Sequence, residues 1–143
     1  VGNIDANYDI LHIIGGLLAG YCFSKKIGQK LTIVTGTVLM SLSLLFCYIF
    51  IANLNVFLVL NLFAGFGMGV AYITLMSLSI KDCVHKHSRM GFFQSIYMLG
   101  VYYAPKVCEQ VTKWTSLNNV YIVCGVLGVC SLVLLLFIPP RLL

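Results

Sequence analysis

Long, mostly apolar stretches cover about residues 8–23, 31–52, 56–80, 91–114 and 120–139, and short polar joints separate them at 24–30, 53–55, 81–90 and 115–119. A bilayer's hydrocarbon core takes about 20 consecutive apolar helical residues. The pattern therefore predicts five transmembrane helices. The first is short, and its polar beginning (Asn3, Asp5, Asn7) is expected to be frayed or interfacial. Tight joints make successive helices antiparallel neighbours in one bundle. The alternating strands of about ten residues that a membrane barrel needs do not occur. The fold class expected is an all-α membrane protein, with residues 1–143 forming one transmembrane half-domain.

Composition supports the lipid reading. The chain is 60% hydrophobic and 9% charged, with a mean hydropathy of +0.99, whereas soluble domains are about half apolar and a quarter charged. A water-soluble fold of this size has no interior large enough for that apolar surface. The basic residues then give an orientation. Lys25, Lys26 and Lys30 lie in the first joint, Lys81, Lys86 and Arg89 in the third, and Arg141 in the tail. Threaded through five spans, all three segments fall on one side, which the positive-inside rule makes cytoplasmic. The C-terminus is thus expected inside, and the plasma membrane is the expected location. The chain opens at Val1 with no leader pattern, and reads as a piece of a longer polypeptide entered part-way.

Several functions are excluded on the same grounds. The net charge of +5 is accounted for by the cytoplasmic joints, so nucleic-acid binding is not expected. Only four acidic residues exist, and no zinc-protease, nucleophile-elbow or paired-carboxylate constellation appears; no enzyme is expected. The six cysteines sit mostly in apolar runs, where cysteine acts as a small hydrophobe. Cys83, His85 and His87 read as interfacial polar residues rather than a metal site. No metal and no cofactor is expected.

Glycines recur at close-packing spacing: Gly16 and Gly20 in the first span, Gly65, Gly67 and Gly69 in the third, Gly125 and Gly128 in the fifth. Such stripes let helix backbones approach. They serve packing in any membrane bundle, and sliding or rocking in a transporter.

Read in order, the motifs resemble a known family. Gly15-Gly-Leu-Leu-Ala-Gly20 runs into Lys25-Lys-Ile-Gly-Gln-Lys30, which resembles the cytoplasmic loop motif of the major facilitator superfamily. Phe63-Ala-Gly-Phe-Gly-Met-Gly-Val-Ala-Tyr72 resembles that fold's glycine-rich helix. Ile80-Lys-Asp-Cys-Val-His-Lys-His-Ser-Arg-Met-Gly-Phe92 looks like a joint of the monocarboxylate transporter-like family, and Asn119-Val-Tyr-Ile-Val-Cys-Gly125 through Pro140-Arg-Leu-Leu143 is similar to its last helix. The resemblance covers almost the whole chain and places it at helices eight to twelve of twelve; the equivalent stretch of the amino-terminal half is the alternative. It implies a twelve-helix carrier of two six-helix halves, with substrate held near mid-membrane between them. The partners implied are the lipid bilayer, the missing half of the same transporter, and a small organic anion with a proton. The gating loop implied by the motif is Ser24, Lys25, Lys26, Gly28 and Lys30.

The departures are informative. The monocarboxylate carriers place an aspartate and an arginine in the first helix of this segment. Aligned on Gly15 and Gly20, those positions are His12 and Gly16, so neither anchor is kept. A register using Asp9 keeps an acid but sets Ile13 where the cation belongs. The loop motif's aspartate falls at Ser24 or Lys25, and the turn is one residue longer. Ionisable residues in the membrane are functional candidates by default. His12 titrates near neutral pH and is the candidate proton carrier. Lys106, after Pro105, is the candidate replacement cation, and Glu109 shares its helix face and can pair with it. Lys106 is equally placed to snorkel outward with Glu109. Tyr97, Tyr102, Tyr103, Gln94 and Ser95 serve either a cavity or helix packing. The leading expectation is a segment of a secondary transporter moving a small organic anion such as a monocarboxylate, with a coupled proton, by alternating access. The alternative is a non-transporting membrane subunit, a transporter-fold relic that binds partners.

Overall fold

The computed structural model describes residues 2–23, 28–81, 84–116 and 118–137, with side chains at 8–21, 28–81, 84–116, 118–135 and 137. Every element among them is helical. Helix α1 (Gly2–Leu18) runs into a π-helical turn (Ala19–Phe23). It is followed by α2 (Gln29–Ile49), α3 (Leu54–Ser79), α4 (Lys86–Trp114) and α5 (Asn119–Phe137). The first helix thus begins six residues before the apolar block at Tyr8, and α4 begins five before Gly91, so each apolar block carries a polar helical lead-in.

Local chemistry sets the ends. Gly28 takes φ +91°, a left-handed conformation that favours glycine, and its carbonyl accepts both the N–H (3.1 Å) and the hydroxyl (2.8 Å) of Thr32. The α2–α3 joint closes with Asn53 N–H donating to the Phe50 carbonyl at 2.9 Å. Inside α4, Pro105 has no N–H to donate, so the carbonyl of Val101 loses its usual helical donor.

Helix α3 is the hub, packed against α1 on one side and α2 on the other. Helix α2 also packs against α5, while α4 touches α3 and α5 only lightly and buries no residue. The buried set consists almost wholly of small residues: Ala19, Ala64, Ala71, Cys47, Val70, and the hydroxyl residues Thr32, Thr37, Ser41, Ser43 and Thr74. Large apolar side chains such as Leu17, Val59, Phe92 and Leu134 face outward. Small residues inside and large ones outside is the pattern of helices packed without a water-driven hydrophobic effect. Hydroxyls can sit in that interior because they bond within their own helix. Thr37, Ser41 and Thr74 donate to the carbonyls of Ile33, Thr37 and Val70 at 2.9, 2.7 and 2.7 Å.

Two of the described helices, α2 and α3, are both long and apolar enough to cross a membrane. At 1.5 Å per residue they span about 32 and 39 Å against a hydrocarbon core of about 30 Å. Helix α4, at 29 residues, has the length but not the apolarity. Its second half carries Lys106, Glu109, Gln110 and Lys113.

Candidate functional site

Glycine builds the site by letting α1 lie directly on α3. A Cβ added at Gly69 would run into the carbonyl oxygen of His12, and one at Gly65 would stand 2.5 Å from that of Tyr8. Only a residue without a side chain tolerates this approach, and it fixes where Tyr8 and His12 sit. Three residues after Gly69, on the same face of α3, comes Tyr72. Its ring centroid lies 6.1 Å from the imidazole of His12, tilted by 59°. The Tyr8 ring stands edge-on to His12 at 6.4 Å.

Tyr72 also holds α4. Its hydroxyl donates to Oε1 of Gln94 at 2.5 Å, and its ring meets Tyr97 at 4.6 Å and Phe93 at 5.8 Å. Asp9 lies within electrostatic reach of the Tyr8 and Tyr97 hydroxyls. The result is one half-buried polar and aromatic cluster shared by three helices. His12 and Tyr72 further line a groove of about 550 Å³ between α1 and α3, with Gly16, Gly20, Tyr21 and Ile73. Among the described residues no group of three or more histidines, cysteines or acids is placed to hold a metal ion.

Of the residues expected here, Gln94 bonds to a neighbouring helix, and Ser95 bonds only to the Gly91 carbonyl of its own helix at 2.8 Å. Gly16 stands where the carriers have their arginine. A Cβ there would approach Cγ1 of Ile73 to 2.8 Å, so a long side chain would need Ile73 to move aside.

Lys106 and Glu109 are not part of this cluster. Gln94 and Lys106 are twelve residues apart, which puts them about 18 Å apart along α4 and roughly 120° apart around it. Lys106 lies on an exposed flank, donating to the Tyr102 hydroxyl at 3.1 Å, with its ammonium 4.4 Å from the Tyr102 ring centroid and 5.4 Å from that of Tyr103. The expected Lys106–Glu109 pair does not form: Glu109 pairs with Lys113 at 2.6 Å. An acid four residues before a base is the favoured orientation along a helix, aligned with the helix dipole, whereas Lys106 precedes Glu109. Lys106 consequently has no acidic partner among the described residues and rests on two tyrosines. In the loop, Gly28 and Lys30 begin α2 as described, while Ser24, Lys25 and Lys26 lie outside the described residues.

Two features escape a reading of the sequence. Tyr72 closes the Gly65 and Gly69 stripe at a seven-residue interval, so a tyrosine continuing a glycine face was the available signal. Gly36 faces Gly67 so closely that a Cβ on either would lie 2.9 or 2.7 Å from the other's carbonyl oxygen. It stands alone in α2, with no stripe to mark it.

The family model for the Major Facilitator Superfamily matches residues 2–142. No curated protein and no solved structure matches the chain significantly.

Proposed function

Because the chain belongs to the major facilitator superfamily, whose members are transporters and not enzymes, we propose that it forms part of a secondary active carrier for a small organic anion. A monocarboxylate is the substrate class that suits a single unpaired cation. The observation that carries this reading is Lys106: a lysine without an acidic partner among the described residues, on an exposed flank of α4 beside the hydroxyl of Tyr102. A carboxylate set between them replaces the π-face contact with a charge-assisted hydrogen bond, which is stronger. His12 is the group that takes a coupled proton. In this reading the chain spans the bilayer, most naturally that of the plasma membrane, with its C-terminus cytoplasmic. The other half of the carrier covers the Lys106 flank, and the two halves alternate access around the site.

The test is Lys106→Ala in the full-length carrier, assayed for uptake of a radiolabelled monocarboxylate at measured surface abundance. Uptake should fall at least tenfold, with Lys106→Arg retaining a substantial part. Unchanged uptake at unchanged abundance overturns the assignment.

One observation favours the second reading, a non-transporting membrane subunit. The position of the carriers' arginine is filled by Gly16 packed near Ile73. Proper surface delivery with no anion uptake at any pH would decide for it.

A further inference from the structure

Beneath α4 lies space that the chain's own side chains leave unfilled. A chamber of about 440 Å³ is walled by α2, α3, α4 and α5, with Met40, Met68, Leu75, Phe93, Ile96 and Leu134 in its lining. It accompanies the light packing of α4 on α3 and α5. The walls give water little to bond to. Thr37 and Ser131 donate to the carbonyls of Ile33 and Leu127 in their own helices, each at 2.9 Å, and Tyr72 donates to Gln94. The Tyr97 hydroxyl is the other polar group on a lining that is otherwise apolar.

A second cavity, of about 550 Å³, adjoins the first at Phe93 and Ile96, which line both. Its character is different. Besides Phe92 its walls are Ser79, Ser88 and Arg89. Ser79 ends α3, and Ser88 and Arg89 lie in the first turn of α4. Arg89 is exposed and has no acidic partner among the described residues. Lys81 and Lys86 stand at the same end of the bundle. Together the two cavities make one slot with a cationic mouth and an apolar interior.

The depth of the slot matches one leaflet. Its deepest residues, Met40, Met68 and Tyr97, each lie eleven residues from their helix's end on the side of the mouth, at Gln29, Ser79 and Lys86. At 1.5 Å per residue that is about 17 Å. Half of a hydrocarbon core about 30 Å thick is about 15 Å.

We infer that the slot binds one phospholipid with a negatively charged headgroup, its phosphate on the Arg89 guanidinium and one acyl chain in the chamber beneath α4. A guanidinium offers a phosphate two parallel N–H donors. Basic pockets between transmembrane helices on the cytoplasmic side hold anionic headgroups, and an acyl chain covers apolar wall without needing a hydrogen-bond partner. By filling the gap, the lipid gives α4 a support that the protein's own contacts do not supply. The site rests on the chain spanning a bilayer in the orientation proposed above, and not on Lys106, His12 or any transported substrate.

The full-length protein is reconstituted in nanodiscs of phosphatidylcholine doped with phosphatidylglycerol that carries a diazirine in mid-chain, then photolysed, digested and read by mass spectrometry. Peptides holding Met40, Met68 or Tyr97 are expected to carry at least fivefold more label than with the same diazirine chain on phosphatidylcholine. Arg89→Gln should remove this preference for the charged headgroup, while Lys113→Gln, at the other end of α4, keeps it. Met68→Trp, which fills the chamber, should lower the label on Met40 and Tyr97 at least fivefold. If that variant fails to insert, unlabelled phosphatidylglycerol added to the unaltered protein should compete the label away, and inorganic phosphate should not. Four results each overturn the proposal: equal labelling from both headgroups, an undiminished preference in Arg89→Gln, competition by inorganic phosphate, or an unlabelled chamber because the other half of the carrier fills it. No readout here measures uptake, so a failure of this site is distinguishable from a failure of the carrier reading.

Discussion

Gly67→Ala strikes the α2–α3 seam directly, because the atoms that a new methyl group would meet are backbone. A Cβ at Gly67 would stand 2.7 Å from the carbonyl oxygen of Gly36, 2.7 Å from the amide nitrogen of Met40 and 3.2 Å from its Cα. Ordinary Cβ contacts begin at 3.4 Å, so α2 and α3 must part by roughly 0.7 Å, the difference between 3.4 and 2.7. No side-chain rotation relieves this. The separation spreads along the seam, since α2 also carries Ser41 and Leu45 against Gly128 and Gly125 of α5.

Overpacking of this kind costs about 1–3 kcal/mol. Alanine is a better helix former than glycine by up to about 1 kcal/mol, which offsets part of the loss. Gly100→Ala isolates that second effect, because a Cβ at Gly100 meets nothing within 4 Å. The stability difference between the two variants is therefore the steric cost alone, about 1–3 kcal/mol. Unfolding of the purified protein in mixed micelles by increasing mole fraction of dodecyl sulfate, followed by circular dichroism, measures it. Gly67→Ala should unfold first, Gly100→Ala at or after the unaltered protein. A Gly67 variant as stable as the Gly100 variant would mean that the α2–α3 seam yields freely, and the account of the packed core would be wrong.

The remaining predictions concern the polar cluster. Tyr72→Phe keeps the ring contacts with His12, Phe93 and Tyr97 but removes the hydrogen bond to Gln94, worth about 0.5–1.5 kcal/mol. Amide exchange should speed up several-fold in 91–100 with α2 unaffected, and equal acceleration everywhere would point to global destabilisation instead. If His12 carries the coupled proton, His12→Ala flattens the pH dependence of net uptake while substrate exchange persists. Loss of both together would make His12 structural.

The five helices were legible because each needs only a run of apolar residues bounded by polar ones. What the runs conceal is which face is inside. Helix α3 is apolar nearly all round, so a moment of hydrophobicity has nothing to act on; the inside is marked by small size, at Ala64, Gly67 and Ala71, and the outside by bulk, at Val59 and Phe63. Read for size rather than polarity, the glycine stripe gives the correct face, and Tyr72 is the aromatic residue that continues it. Gly36 had no such context, because its reason lies entirely in Gly67 across the seam. The same limit governed the charges. Spacing makes both Lys106–Glu109 and Glu109–Lys113 feasible, and only helix polarity, acid before base, selects the second.

That selection has a consequence for how the two polar regions of α4 relate. Since Glu109 is engaged with Lys113, Lys106 keeps its charge available on one flank, while Gln94 anchors the opposite end of the helix to Tyr72 and, through that ring, to His12. If a proton at His12 and an anion at Lys106 belong to one cycle, they communicate across about 18 Å of a single helix. The one side-chain hydrogen bond joining that helix to the other helices among the described residues is Tyr72–Gln94. Tyr72→Phe then separates two cases. A rigid α4 whose position is set at Tyr72 predicts that the variant uncouples proton from anion while each still binds. A helix held by its light apolar contacts alone predicts no change in coupling, and His12 and Lys106 would then act independently.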